Sequence, residues 1–108
     1  MLTRELVDAY VDRCLDAESA PRAAELAREL SVSRDTLNRW AKDVLGVPVG
    51  EYLRARQVDR ARRLLEQTTL TATKIAYRTG FGTRRALFRA FARATSMTPG
   101  AYRSRLTK

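Results

Sequence analysis

Residues 75–105 read IAYRTGFGTRRALFRAFARATSMTPGAYRSR, and their apolar spacing decides the fold. Ile75, Ala76, Phe81, Leu87 and Phe91 recur at helical intervals, with none of the strict alternation of a half-buried strand. Gly80 falls where a turn between two helices would demand positive φ. Thr83 is a plausible N-cap for the helix that follows, and Thr98-Pro99 opens another, because proline's fixed φ suits a first turn that needs no amide donor. The stretch therefore predicts two short helices around a tight turn, followed by a third.

Upstream, the same pattern occurs once more. At an offset of 50, Arg34/Arg84, Leu37/Leu87, Arg39/Arg89, Gly50/Gly100 and Tyr52/Tyr102 are identical pairs, and Ser33/Thr83 are equivalent caps. Before these positions the offset becomes 49, pairing Leu26-Ala27 with Ile75-Ala76 and Ser31-Val32 with Gly80-Phe81, so the second copy has one extra turn residue. Ser31 stands where the second copy has glycine, and the first turn must manage without one. Two copies are too few for an open solenoid. In the first copy Leu26, Leu30, Val32, Leu37 and Trp40 are spaced to bury one face of two helices against each other.

The remaining helices follow from the same reasoning. A first helix is expected at about 3–17, with Leu6, Tyr10, Cys14, Val7, Val11 and Leu15 as its apolar face. Pro21 opens a second, Ser33 caps a third at about 34–44 that stops near Gly46, and a long helix occupies about 49–66. Thr71 and Thr83 cap a fifth and a sixth. The expected fold class is all-α: about seven helices forming two helix-turn-helix subdomains, at about 3–46 and 70–106, joined by the long linker helix within one domain spanning 1–108. Trp40, Tyr52 and Tyr102 read as core or interhelix anchors, and Cys14 as a small buried hydrophobe.

Composition limits what such a fold can do. The 108 residues contain 21 Lys+Arg, 12 Asp+Glu, one cysteine and no histidine, for a net charge of +9. Without histidine the commonest general base and metal ligand are missing, and neither a metal-ligand cluster nor a glycine-rich phosphate loop is present, so an enzyme is the poorest reading and no cofactor is expected. One cysteine makes no disulfide within the chain. No apolar run approaches the length of a membrane span, and MLTRELVDAY at the N-terminus is not a signal peptide, so the expected compartment is the cytoplasm. The charge is unevenly placed: residues 1–49 are net −2 and residues 50–108 net +11. The partner of the second half should be a polyanion, whether nucleic acid, an anionic membrane surface or an acidic protein.

The faces left outside the expected cores narrow that choice. With Leu37, Ala41 and Val44 inward, the third helix exposes Asp35, Asn38, Arg39 and Lys42. With Leu87, Phe91 and Ala94 inward, the sixth exposes Arg85, Phe88, Arg89 and Ala92. Arginine and asparagine pair bidentately with guanine and adenine in the major groove, and an aromatic ring can meet a thymine methyl, which makes Asn38, Arg39, Arg85, Phe88 and Arg89 candidate base contacts. Ser33, Arg34, Asp35, Lys42, Thr83, Arg84 and Arg93 are candidate base or phosphate contacts, the helix N-terminal ends and the capping hydroxyls of Ser33 and Thr83 being suited to phosphate. Plainer readings exist: Arg39 and Arg89 as solvated charges paired with carboxylates, Asp35 as a complement to its helix dipole, Phe88 as core. The acidic stripe Glu5, Asp8, Asp12 and Asp16 is either a solvated face or a surface for a protein partner. The linker arginines Arg54, Arg56, Arg60, Arg62 and Arg63 cannot all face one duplex.

These residues resemble the DNA-binding domain of the AraC/XylS family of bacterial transcription regulators, from about residue 6 to 105. The 75–105 stretch is similar to that family's second helix-turn-helix, with its closing Pro99, Tyr102 and Arg103, and GEYLRARQVDRARRLL at 50–65 to its linker helix. The resemblance implies seven helices arranged as homeodomain-like repeats, two major-groove readers and binding to promoter DNA near the nucleoid, often as an activator that contacts RNA polymerase. Departures are Phe88 in place of a small polar residue, Ala86 in place of a larger one, and the unusually basic Arg84-Arg85. A separate effector-binding or dimerisation domain is common in the family and none is expected within these 108 residues, which read either as a standalone regulator controlled by its own abundance or as the DNA-binding piece of a longer protein. The expected partner is thus double-stranded DNA, bound by a monomer without a small-molecule effector site. A non-specific architectural DNA-binding or protein-interaction module is the alternative.

Overall fold

A computed structural model describes residues 1–106 and leaves the last two residues of the expected 1–108 span outside the described region. The described residues form seven helices and no strand: α1 (Arg4–Asp16), α2 (Ala23–Glu29), α3 (Arg34–Val44), α4 (Val49–Gln67), α5 (Ala72–Arg78), α6 (Arg84–Thr95) and α7 (Pro99–Leu106). Five begin at a hydroxyl cap. Thr3, Ser33, Thr71, Thr83 and Thr98 each accept the backbone N–H three residues on, at 3.0–3.2 Å, satisfying donors that a helix start leaves unpaired.

Two apolar cores lie along α4. Val7, Val11, Leu26, Leu37 and Ala41 pack with Val49 and Leu53 of its first turns. Ile75, Ala76, Leu87 and Phe91 pack with Val58, Ala61 and Leu65 nearer its end. Each anchor tyrosine and Trp40 lies partly buried against its core, and Tyr102 meets Phe91 edge to face at 5.5 Å between centroids. Cys14 is buried.

The duplication extends to the backbone. Ser31 and Gly80 hold equivalent left-handed positions at φ 57° and 81°, and Gly46 and Ser96 do so at φ 82° and 61°. Each copy thus uses one glycine and one serine for its two helix exits, in opposite order. A serine costs more than glycine at such a φ. The extra residue of the second turn is Gly82, also left-handed at φ 82°.

Gly80 has a second constraint. A Cβ there would lie 2.5 Å from the backbone nitrogen of Ala20, so the α5–α6 turn rests directly on the loop between α1 and α2. Beside this contact Gln57 of α4 donates to the Thr79 carbonyl, and Arg78 pairs with Glu18 at 3.7 Å. The two halves touch backbone to backbone as well as sharing α4.

Some expected orientations are corrected. Pro21 is buried ahead of α2, which starts two residues later at Ala23. Leu6 is exposed, because α1 turns Val7, Tyr10, Val11, Cys14 and Leu15 inward and these suffice to cover α4. Val44 is exposed at the end of α3, and the next residue, Leu45, packs on the core in its place. Ala94 is exposed and Ala90 buried; Ala94 lines a groove between α6 and α4 that its small side chain leaves open.

Candidate nucleic-acid interface

The outward faces of α3 and α6 occupy equivalent places in the two halves but are not chemically equivalent. On α3, Arg34, Asp35, Arg39 and Lys42 are exposed. Asp35 and Arg39 form an (i, i+4) pair at 3.2 Å with both side chains largely in solvent, an arrangement worth little and easily exchanged for another partner. On α6, Arg85, Arg89 and Arg93 are exposed and no carboxylate pairs with them among the described residues. The position matching Asp35 is Arg85, so Arg89 has no acid one turn before it. Arg84 stacks over the Phe88 ring at 4.4 Å, which holds both side chains at the start of the helix face. The cap hydroxyls of Ser33 and Thr83 are engaged with their own helix N-termini.

Asn38 departs from expectation. It is half-buried, and its amide oxygen accepts the Val49 backbone N–H at 3.1 Å, supplying the cap that Pro48 cannot give to α4. Its carbonyl is therefore occupied by the fold, and it does not stand on the outward stripe as a free bidentate group. In the second copy Val49 is matched by Pro99, which has no N–H to satisfy. An asparagine is not required there, and Phe88 occupies the position.

The arginines of α4 divide by the direction they face. Arg56 donates to Asp8 at 2.7 Å and Asp12 at 2.6 Å, and Arg60 to Asp16 at 3.2 Å. Arg62 pairs with Asp59 and Glu66, and Arg63 with Asp59. Three of the four acidic positions of α1 thus pair with arginines of α4, while the Asp12 and Asp16 side chains stay largely in solvent, so the stripe is a solvated face bridged to α4. Arg54 alone among these arginines has no carboxylate partner within the described residues. It lines one groove with Phe81, Ala86, Arg89 and Arg93, and a neighbouring one with Arg22 and Arg34. A row of unneutralised guanidinium groups consequently runs from the start of α3, across α4, to α6.

Helical geometry explains the division. At roughly 100° per residue, the buried face of α4 rotates by about a third of a turn between Val49/Leu53 and Val58/Ala61/Leu65. Arg56 and Arg60 continue the first face into the second half, where α1 meets them. Arg54 continues the second face back into the first half, where nothing covers it. The rotation was the signal in the sequence that separates Arg54 from its neighbours.

The two equivalent halves define a double helix-turn-helix module carried on one connecting helix. The sequence matches the family model for a helix-turn-helix domain over residues 26–105, and the chain belongs to the AraC-type helix-turn-helix family. It is 37% identical over 87 residues to the HTH-type transcriptional regulator Rv1931c of Mycobacterium tuberculosis, covering 81% of this chain and 34% of that protein. It is 38% identical over 84 residues to an AraC-like transcription regulator of Streptomyces lividans, covering 78% of this chain and 28% of that one. The chain therefore spans about a third of the length of these relatives. Among solved structures it is similar to the DNA-binding domain of the global transcriptional factor AdpA in complex with a target DNA, with a TM-score of 0.84, 28% identity and coverage of 94% and 88% of the two chains. The C-terminal domain of the two-component response regulator yesN from Fusobacterium nucleatum gives a TM-score of 0.84 at 25% identity, covering 93% and 96%. No helix of the described residues is long and apolar enough to cross a membrane.

Proposed function

We propose that this chain binds double-stranded DNA with sequence preference as the DNA-binding part of a transcription regulator, presenting α3 and α6 to successive major-groove segments. The observation that carries this reading is the row of arginines without acid partners that joins α3 to α6, set against the neutralised arginines on the α1 side of α4. Charge balance within the fold accounts for the second set and leaves the first for an external polyanion. Family membership and the AdpA complex with its target DNA support the choice of DNA. The 19 residues of α4 extend roughly 28 Å, close to the repeat of about 34 Å between major-groove segments on one face of a duplex.

In this reading the halves act as one unit. Arg39, Arg85, Phe88 and Arg89 meet bases, while Arg34, Lys42, Arg84, Arg93 and the two helix N-termini at Ser33 and Thr83 hold phosphates. Asp35 releases Arg39 on binding. Docking is by a monomer and supplies position rather than chemistry, with RNA polymerase as the protein met at a promoter in the nucleoid.

Selection from a randomised library of about 30 base pairs near physiological salt tests the proposal. Two enriched blocks about 10 base pairs apart are expected. Arg89→Ala should lower affinity for the selected site by about 1–3 kcal/mol and relax one base pair. Binding without enrichment would overturn sequence preference and leave a non-specific architectural module.

A further inference from the structure

The base-reading and helix-terminal contacts above leave the middle of the cationic row unexplained. Arg54 lies on α4, outside both helix-turn-helix motifs, yet it lines the grooves on either side of it. A third groove, between α4 and α6, is lined by Arg54 and Arg93 together with the small apolar side chains Ala55, Val58, Ala90 and Ala94. Guanidinium groups beside small apolar side chains suit a sugar-phosphate backbone, whose deoxyribose faces are apolar and whose phosphates are anionic. Glu51 is the one carboxylate lining these grooves; it sits three residues from Arg54 on the same helix and forms no ion pair with it. Arg54 is exposed, so neither packing nor charge balance within the described residues accounts for it.

We propose that Arg54 is a phosphate anchor that grips the DNA backbone where it passes between the two major-groove segments, a third point of attachment between the readers. This rests on the DNA-binding reading. Such a contact adds affinity on any sequence and fixes the height at which α4 rides over the backbone, so that both readers enter their grooves together.

The test compares the wild type with Arg54→Ala, Arg54→Lys and Arg89→Ala on the selected duplex and on random duplex. Each is measured between about 50 and 200 mM salt. Arg54→Ala should keep the wild-type unfolding midpoint and base preference. It should weaken both duplexes by the same several-fold factor, with a slope of log affinity against log salt shallower by about 0.9. Arg54→Lys should retain most of the affinity and the slope. Methylphosphonate replacement of single phosphates between the two blocks should weaken the wild type at one position and leave Arg54→Ala indifferent there. Unchanged affinity and slope in Arg54→Ala, with the wild type still selecting its site, would overturn the anchor alone. A loss confined to the selected duplex would also overturn it, making Arg54 a base reader. Failure of the wild type to bind any duplex would instead overturn the DNA-binding reading itself.

Discussion

Gln57 donates its side-chain amide to the backbone carbonyl of Thr79 at 3.0 Å, and both residues are buried. It stands on α4 between Leu53 of the first core and Val58 of the second, so a polar bond closes the seam where the two apolar clusters meet. Gln57→Leu removes the donor and strands a buried carbonyl. A loss of about 1–3 kcal/mol is expected, read from urea denaturation as a lower midpoint at unchanged m-value.

Asn38→Ala separates a structural role from a reading role. Losing the acceptor for Val49 N–H should cost about 0.5–2 kcal/mol of stability, with base preference on selected DNA intact. A changed preference at one base pair, at wild-type stability, would put Asn38 at the bases instead. Phe88→Asn should gain no comparable capping energy, since Pro99 offers no donor.

Arg103 of α7 ties down the far end of α4. Its guanidinium donates to the carbonyls of Leu65, Thr68 and Leu70 at 3.2, 3.0 and 2.6 Å, at a helix terminus whose last turn carries no basic residue of its own. Arg103→Ala should lower stability by about 1–3 kcal/mol in thermal or urea unfolding. Lysine should recover less than half of this, because an ammonium group lacks the fork that reaches three acceptors.

Tyr10 predicts an alkaline limit. Burial, aided by its hydrogen bond to Glu25, raises its hydroxyl above the ordinary value of 10.0. The folded state then keeps a proton that the unfolded chain releases, so Tyr10's contribution is complete below pH 10 and falls as pH rises beyond it. Denaturation midpoints should therefore decline more steeply above pH 10 in the wild type than in Tyr10→Phe. Equal decline would remove Tyr10 from the linkage.

Helix positions and caps were legible because each depends on residues close together in sequence: an apolar period, a hydroxyl three residues before the amide it accepts, a proline at a first turn. The features that escaped depend on partners far apart. The pairing of Asp8, Asp12 and Asp16 was not legible because their arginine partners lie 44 to 48 residues away. Asn38 read as outward because its partner is the start of the next helix, although the pairing of Val49 with Pro99 across the duplication carried the hint. The exposure of Ala94 was likewise unreadable, since it follows from how far α6 stands off α4.

The meeting of Gly80 with Ala20 has a further consequence. Two readers linked only by a helix could swing to suit their target, but these are also braced through their loops, like the jaws of a caliper locked at one setting. On the DNA-binding reading proposed above, any mismatch between that setting and the pitch of the duplex is absorbed by the DNA. Stiff and pliable base steps differ in what such accommodation costs, so sequence between the two contacted blocks enters the affinity although no side chain reads it.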